Sequence, residues 1–248
     1  MILLCQYYKC HNTKRQLEIN ECLINNTQKK FITKLVLFLE GNDSKELYNS
    51  LNFDKSKIKT VLIGKQYTYK DLFEYANNNF KDEIVALIHS DVLLCSGFEK
   101  IEKKHLYKRL LAVVRHSYYC KKLNGDDCCE DNKCGIYLNN NKNEKIFFHG
   151  GGWDTYVFSP PIDNKIISKL NYTQNTWTGE SILILYFRSY GYNITYPIEL
   201  VTKHNDILGQ LGDSPTSTHF NNDEKFKYLF PNKYFTVGTV IRNFNFFL

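Results

Sequence analysis

Ile84-Val85-Ala86-Leu87-Ile88 is an unbroken apolar run of strand length that stops abruptly at His89-Ser90-Asp91 and resumes as Val92-Leu93-Leu94. A strand without polar alternation cannot line a face that meets water. It reads as buried on both faces, in the middle of a largely parallel sheet. Such sheets bind ligands at the carboxyl ends of their strands, where polar side chains leave the apolar layer. His89 and Asp91, two apart at that end, are expected to project to one side of the strand. There an imidazole and a carboxylate can share a divalent cation or a phosphate-bound metal.

The first half of the chain supplies the neighbours such a strand needs. Met1 to Tyr8 reads as a buried first strand. Asn12-Thr13 then cap a helix running through Asn26, with Leu17, Cys22 and Leu23 inward and Arg15, Glu18 and Glu21 exposed. Lys34 to Glu40 is a second strand, punctuated by Gly41-Asn42-Asp43-Ser44 and followed by a short helix to about Asn49. Ile58 to Ile63 is a third strand. Thr68, with Asp71 three residues on, has the pattern of a capping box for a helix through Ala76. After the central strand come a helix from Ser96 to Lys104 and a fifth strand, Leu110 to Val114, ending at Arg115-His116. Strand and helix alternate roughly every 20 to 30 residues, the rhythm of a Rossmann-like α/β fold.

Tyr119 to Lys145 breaks that rhythm. It is polar and carries Cys120, Cys128, Cys129 and Cys134, four thiols that could hold a structural zinc although their spacing does not match paired Cys-x-x-Cys knuckles; the other reading is a variable surface loop. Past it, Gly150-Gly151-Gly152 lets the backbone turn freely into a strand, Trp153 to Phe158. Thr176-Trp177-Thr178-Gly179-Glu180 introduces an amphipathic helix, Ser181 to Tyr190, with Gly191 as its C-cap. Glu180 then lies at a helix N-terminus, where the macrodipole favours its ionised form. Asn193 to Glu199 reads as a last strand, followed by Val201 to Asp206. Residues 208–248 are less patterned, with a turn-rich stretch from Gly209 to Pro215 and an aromatic end segment that is expected to pack back on the body.

Length and charge narrow the class. The 248 residues suffice for one domain with a sizeable core. The 32 Lys and Arg against 26 Asp and Glu give a net charge of +6 that is well mixed along the chain, so no nucleic-acid grip is expected. No apolar stretch approaches a membrane span, and Met1 to Tyr8 lacks the basic region of a signal peptide. The eight cysteines are accordingly expected as reduced thiols in a cytoplasmic setting.

Four features converge: His89-Ser90-Asp91, the glycine-turned strand with Asp154, the helix-start acid Glu180, and the late His204. Nucleotide-sugar chemistry needs a neutralised diphosphate leaving group and a carboxylate that takes a proton from an acceptor hydroxyl. On these residues the chain resembles the small GT-A glycosyltransferases of large DNA viruses and bacteria, close in pattern to the rhamnosyltransferase-type domain of chlorella viruses. The resemblance covers most of residues 1 to 207. It runs through Arg15-Gln16-Leu17-Glu18-Ile19, Thr68-Tyr69-Lys70-Asp71-Leu72-Phe73, Ile88-His89-Ser90-Asp91-Val92, Trp153-Asp154-Thr155-Tyr156-Val157-Phe158 and Tyr196-Pro197 with His204.

The resemblance implies a single GT-A domain with a mixed, mainly parallel sheet flanked by helices. Residues 1–119 would be its nucleotide-sugar half, 120–146 a variable loop, 147–207 its acceptor half and 208–248 a packing segment. His89-Ser90-Asp91 stands where the Asp-x-Asp metal motif would be, so His89, Asp91 and His204 are the implied ligands of a divalent cation, Mn²⁺ or Mg²⁺. His89 departs from that motif by replacing its first carboxylate. Arg15, Lys65, Thr68, Ser90, Asp91 and Arg115 would bind the nucleotide-sugar donor. Glu180, or Asp154, would be the base of an inverting transfer to a glycan or glycoprotein acceptor, in the cytoplasm or, for a viral protein, the host cytoplasm or virion. Two other readings stay open: a nucleotidyltransferase, against which the absence of glycine from Gln6 to Arg15 counts, and a non-catalytic binding module of the same fold.

Overall fold

The computed structural model describes residues 1–113, 153–174, 176, 179–197 and 199–204. Among these, seven strands form one sheet in the order β3-β2-β1-β4-β7-β6-β8. They are β1 (Ile2–Tyr7), β2 (Lys34–Leu39), β3 (Ile58–Leu62), β4 (Val85–Ile88), β6 (Arg109–Val113), β7 (Thr155–Phe158) and β8 (Asn193–Thr195). β3, β2, β1 and β4 run together; β7 runs against β4 and β6, and β6 and β8 resume the first direction. The mainly parallel α/β sheet expected from the sequence is therefore what the chain forms.

The all-apolar strands explain the layering. β1 and β4 are buried along their whole length, with Leu4 and Leu87 on one face and Leu3, Cys5 and Ile88 on the other. One face is covered by α3 (Tyr69–Asn79), α4 (Asn164–Ile167) and α5 (Gly179–Ser189), which share an apolar cluster with Phe38, Tyr156 and Phe158. The other is covered by α1 (Thr13–Gln28) and α2 (Asn42–Ser50), with Ile19, Leu23 and Tyr48 packed on Leu35 and Leu37. Thr68 and Asp71 close the expected capping box at α3: the Asp71 N–H donates to Thr68 Oγ1 at 3.2 Å and the Thr68 N–H to Asp71 Oδ2 at 2.9 Å.

The stretch that reads as one strand is in fact two. Pairing with β1 and β7 ends at Ile88; residues 89–91 turn, with the Val92 N–H on the His89 carbonyl at 3.3 Å, and β5 (Val92–Leu94) leaves the main sheet. β5 pairs instead with β9 (Thr202–His204). Asn26, buried on α1, fixes the departure. Its Nδ2 donates to the Val92 carbonyl at 2.9 Å and its Oδ1 accepts from the Leu94 N–H at 3.0 Å, in the manner of a neighbouring strand. Gly97, at φ +94°, passes so close to the 199–200 backbone that a Cβ would lie 2.2 Å from the Glu199 carbonyl oxygen.

Other expectations need correction. On α1, Cys22 and Leu23 are buried and Glu21 is exposed as expected, but Glu18 is completely buried and Leu17 is 56% exposed, the reverse of the expectation for those two. The reason is an ion pair described below that outweighs the apolar periodicity. The helix expected over Ser96 to Lys104 is two short 3₁₀ turns, Phe98–Lys100 and Lys103–Leu106. The strand expected from Asn193 to Glu199 stops at Thr195. The cysteine-bearing loop, the triple glycine, Trp177 and the segment 208–248 lie outside the described residues.

Candidate functional site

The direction of β7 assembles the site. Because β7 is antiparallel to β4, its start meets the end of β4: Ile88 pairs with Thr155, and the His89 N–H donates to the Asp154 carbonyl at 3.0 Å. Asp154 thus reaches the carboxyl edge of the parallel strands from the far side of the chain. α5 begins at the same edge, with Glu180 in its first turn and the Trp153 N–H donating to Glu180 Oε2 at 2.9 Å. Gly179 permits this entry, since its carbonyl accepts from the Tyr172 hydroxyl at 3.0 Å and a Cβ would come within 3.0 Å of that ring.

At this corner one ligand atom each of His89, Asp154 and Glu180 lies within 4.8 Å of the others, and His89 Nδ1 stands 3.5 Å from Asp154 Oδ1. Asp154 is 5% exposed, whereas Glu180 and His89 are half-buried. His89 Nε2 is buried with no hydrogen-bond partner. Tyr69 and Tyr156 close the floor; burial, reinforced by the charges of Glu180 and Asp154, pushes both phenols up, so they stay neutral. Trp153 and Tyr196 flank the corner as an aromatic pair at 5.8 Å.

A second corner lies across the 89–91 turn. Arg15, in the first turn of α1, donates from Nη1 to Glu18 Oε2 at 2.8 Å and from Nη2 to Asp91 Oδ2 in a close ion pair. Burial works against the guanidinium's charge, but Asp91 and Glu18 more than offset this, and its pKa is raised. Asp91 is 3% exposed. The Tyr8 hydroxyl bonds with Ser90 and Arg15; its pKa is raised by burial, against the lowering effect of Arg15.

The structure therefore brings His89, Asp154 and Glu180 together, and Arg15, Ser90 and Asp91 together. His89 and Asp91 do not follow strand alternation, because the strand has ended before them. Lys65 and Thr68 stand between β3 and α3, where Thr68 bridges to Thr173 and the Tyr69 N–H donates to the Tyr172 carbonyl at 2.9 Å. There Lys65 Nζ is 3.3 Å from Asp71 Oδ2, and Thr68 is engaged in its cap. The backbone of His204 pairs with Val92, one residue from Asp91. Arg115 lies outside the described residues. Sequence reading missed Glu18 and Tyr8; the signal for Glu18 was its i,i+3 spacing from Arg15.

A divalent cation fits the His89 corner. Mn²⁺ or Mg²⁺ at about 2.1 Å from each ligand sets ligand–ligand separations of about 3.0 to 4.2 Å. The three side chains are within a small rotation of that range, and one imidazole with two carboxylates is a suitable donor set.

No family model and no curated protein sequence matches the chain. Among solved structures, it is similar to the mannosyltransferase PcManGT from Pyrobaculum calidifontis in complex with GDP-Man and Mn²⁺, at TM-score 0.44 and 10% identity, over 82% of this chain. The chain spans 56% of that protein's length. HddC from Yersinia pseudotuberculosis is similar at TM-score 0.41 and 13% identity, over 69% of this chain and 80% of that one. At such low likeness, function has to be read from the chain's own residues.

Proposed function

We propose that the chain is a GT-A-type glycosyltransferase that moves a sugar from a nucleoside diphosphate donor, UDP-linked in the first instance, to a hydroxyl of a glycan or glycoprotein. The observation that carries this reading is the meeting of His89, Asp154 and Glu180 at the carboxyl edge of the parallel strands, beside the Arg15–Asp91 pair.

The donor lies over the ends of β1 and β4, with Arg15, Ser90 and Asp91 at its diphosphate; Lys65, Thr68 and, from the sequence alone, Arg115 are assigned to the same donor. Glu180 is the base. It is the more accessible of the two carboxylates, and the Trp153 N–H donates to its Oε2 and fixes its orientation. Transfer is then a single displacement with inversion. A bound divalent cation would supply charge neutralisation of the departing diphosphate, and His89 is its first protein ligand.

A panel of UDP-, GDP- and dTDP-sugars, incubated with the chain with and without Mn²⁺, tests this. One nucleotide released slowly in the absence of acceptor is the expected result. A panel in which nothing is consumed and nothing binds would leave the non-catalytic reading.

A further inference from the structure

From the geometry of the two corners we infer that the cation seat is His89 with Asp154, and that Asp91 serves as the counter-ion of Arg15 and not as a metal ligand. The inference rests on the transferase reading and divides labour between its acids.

Three observations lead there. Asp91 is buried against the Arg15 guanidinium, which Glu18 holds from its other side, so a cation at Asp91 would have to displace a fixed positive charge. The turn at residues 89–91 parts the two residues: the imidazole goes to Asp154, at 3.5 Å, while the Asp91 carboxylate goes to α1. Finally, His89 Nε2 is buried without a hydrogen-bond partner, and one nitrogen of the same ring lies within 4.8 Å of a carboxylate oxygen of Asp154 and one of Glu180.

Of those carboxylates, Asp154 is the ligand. It is nearly inaccessible and so poorly placed to meet an acceptor hydroxyl, and it is fixed to His89 through the backbone. Glu180 stands within 4.8 Å, adds to the negative field and remains the base. Two protein ligands completed by phosphate oxygens and water are an ordinary arrangement for Mg²⁺ or Mn²⁺ beside a diphosphate. The seat should therefore bind Mn²⁺ far better with UDP than alone.

The test is Mn²⁺ binding to the full chain with and without UDP, read from the free-ion paramagnetic resonance signal, with UDP binding followed in parallel by calorimetry. His89→Ala and Asp154→Asn should each weaken Mn²⁺ binding by about tenfold or more. His89→Ala should also abolish the nitrogen coupling of the bound ion. At UDP concentrations that saturate each variant, as the calorimetry establishes, Asp91→Asn should leave Mn²⁺ binding within about a factor of two, and Glu180→Gln within about fivefold. Should Asp91→Asn fail to fold, Arg15→Gln combined with Asp91→Asn removes the pair as a unit, and thermal melting checks each variant. Mn²⁺ binding that follows Asp91 and ignores Asp154 would overturn the inference, as would wild-type chain that binds UDP but no Mn²⁺. If UDP itself does not bind under any condition, the transferase reading falls as well.

Discussion

The two corners flanking the 89–91 turn solve opposite electrostatic problems. At the Arg15 corner one fixed cation is clamped between two buried acids, so both acids already share a positive partner within the protein. At the His89 corner two acids gather round an imidazole, which leaves a field that suits an incoming cation or proton. The first arrangement holds shape and the second is open to chemistry. On the proposed reading, the donor is positioned at the settled corner and the proton and cation are handled at the open one.

Glu180→Gln should break this division most visibly. Transfer should fall by about 10²- to 10⁴-fold, while calorimetry finds UDP binding changed by no more than about a factor of two. Parallel loss of both would mean that the corners are not separate.

How far the sequence foretold these corners depends on which physical signal each residue carries. The apolar runs of β1, β2 and β4 and the Thr68/Asp71 box were legible because burial and capping are local patterns. The juxtaposition of Asp154 with His89 was not, because it depends on β7 running antiparallel, and strand direction leaves no trace in Trp153 to Phe158 itself. Glu18 was misassigned although its partner is local: an i,i+3 pair with Arg15 reads as solvated helix charge, and what draws that pair inward, the contact of Arg15 with Asp91, is distant in sequence. The end of β4 at Ile88 was hidden by the apolar residues that resume at Val92. Asn26, which draws β5 away from the sheet, looked like one more helix-surface amide.

The remaining predictions probe the settled corner in order of decreasing effect. Arg15→Met strands Glu18 and Asp91. It should lower stability to urea by about 2 to 3 kcal/mol, the low end for a buried pair, because the Arg15 side chain is 28% exposed and partly screened by solvent. Asn26→Leu leaves the Val92 carbonyl and the Leu94 N–H without their partner and should cost about 2 kcal/mol, loosening β5 while His89 keeps its contact with Asp154.

Thr68→Ala removes the cap of α3 and should cost about 1 kcal/mol. That difference should depend on pH. Burial raises the Asp71 pKa, but hydrogen bonds from Thr68 and Lys65 more than offset this and hold it below 3.8 in the folded chain. A depressed carboxyl pKa stabilises the fold above the unfolded value and loses that contribution as pH falls through the folded one. The gap between wild type and Thr68→Ala should therefore be full at neutral pH and shrink below pH 3.8.

Hydrogen exchange of the chain with and without UDP tests the division of labour most directly. The account predicts slowed exchange over residues 7–16 and 88–92, the strand ends and helix start around Arg15 and Asp91, with the amides of α5 little changed. Protection centred on α5, or no protection at either corner, would contradict it.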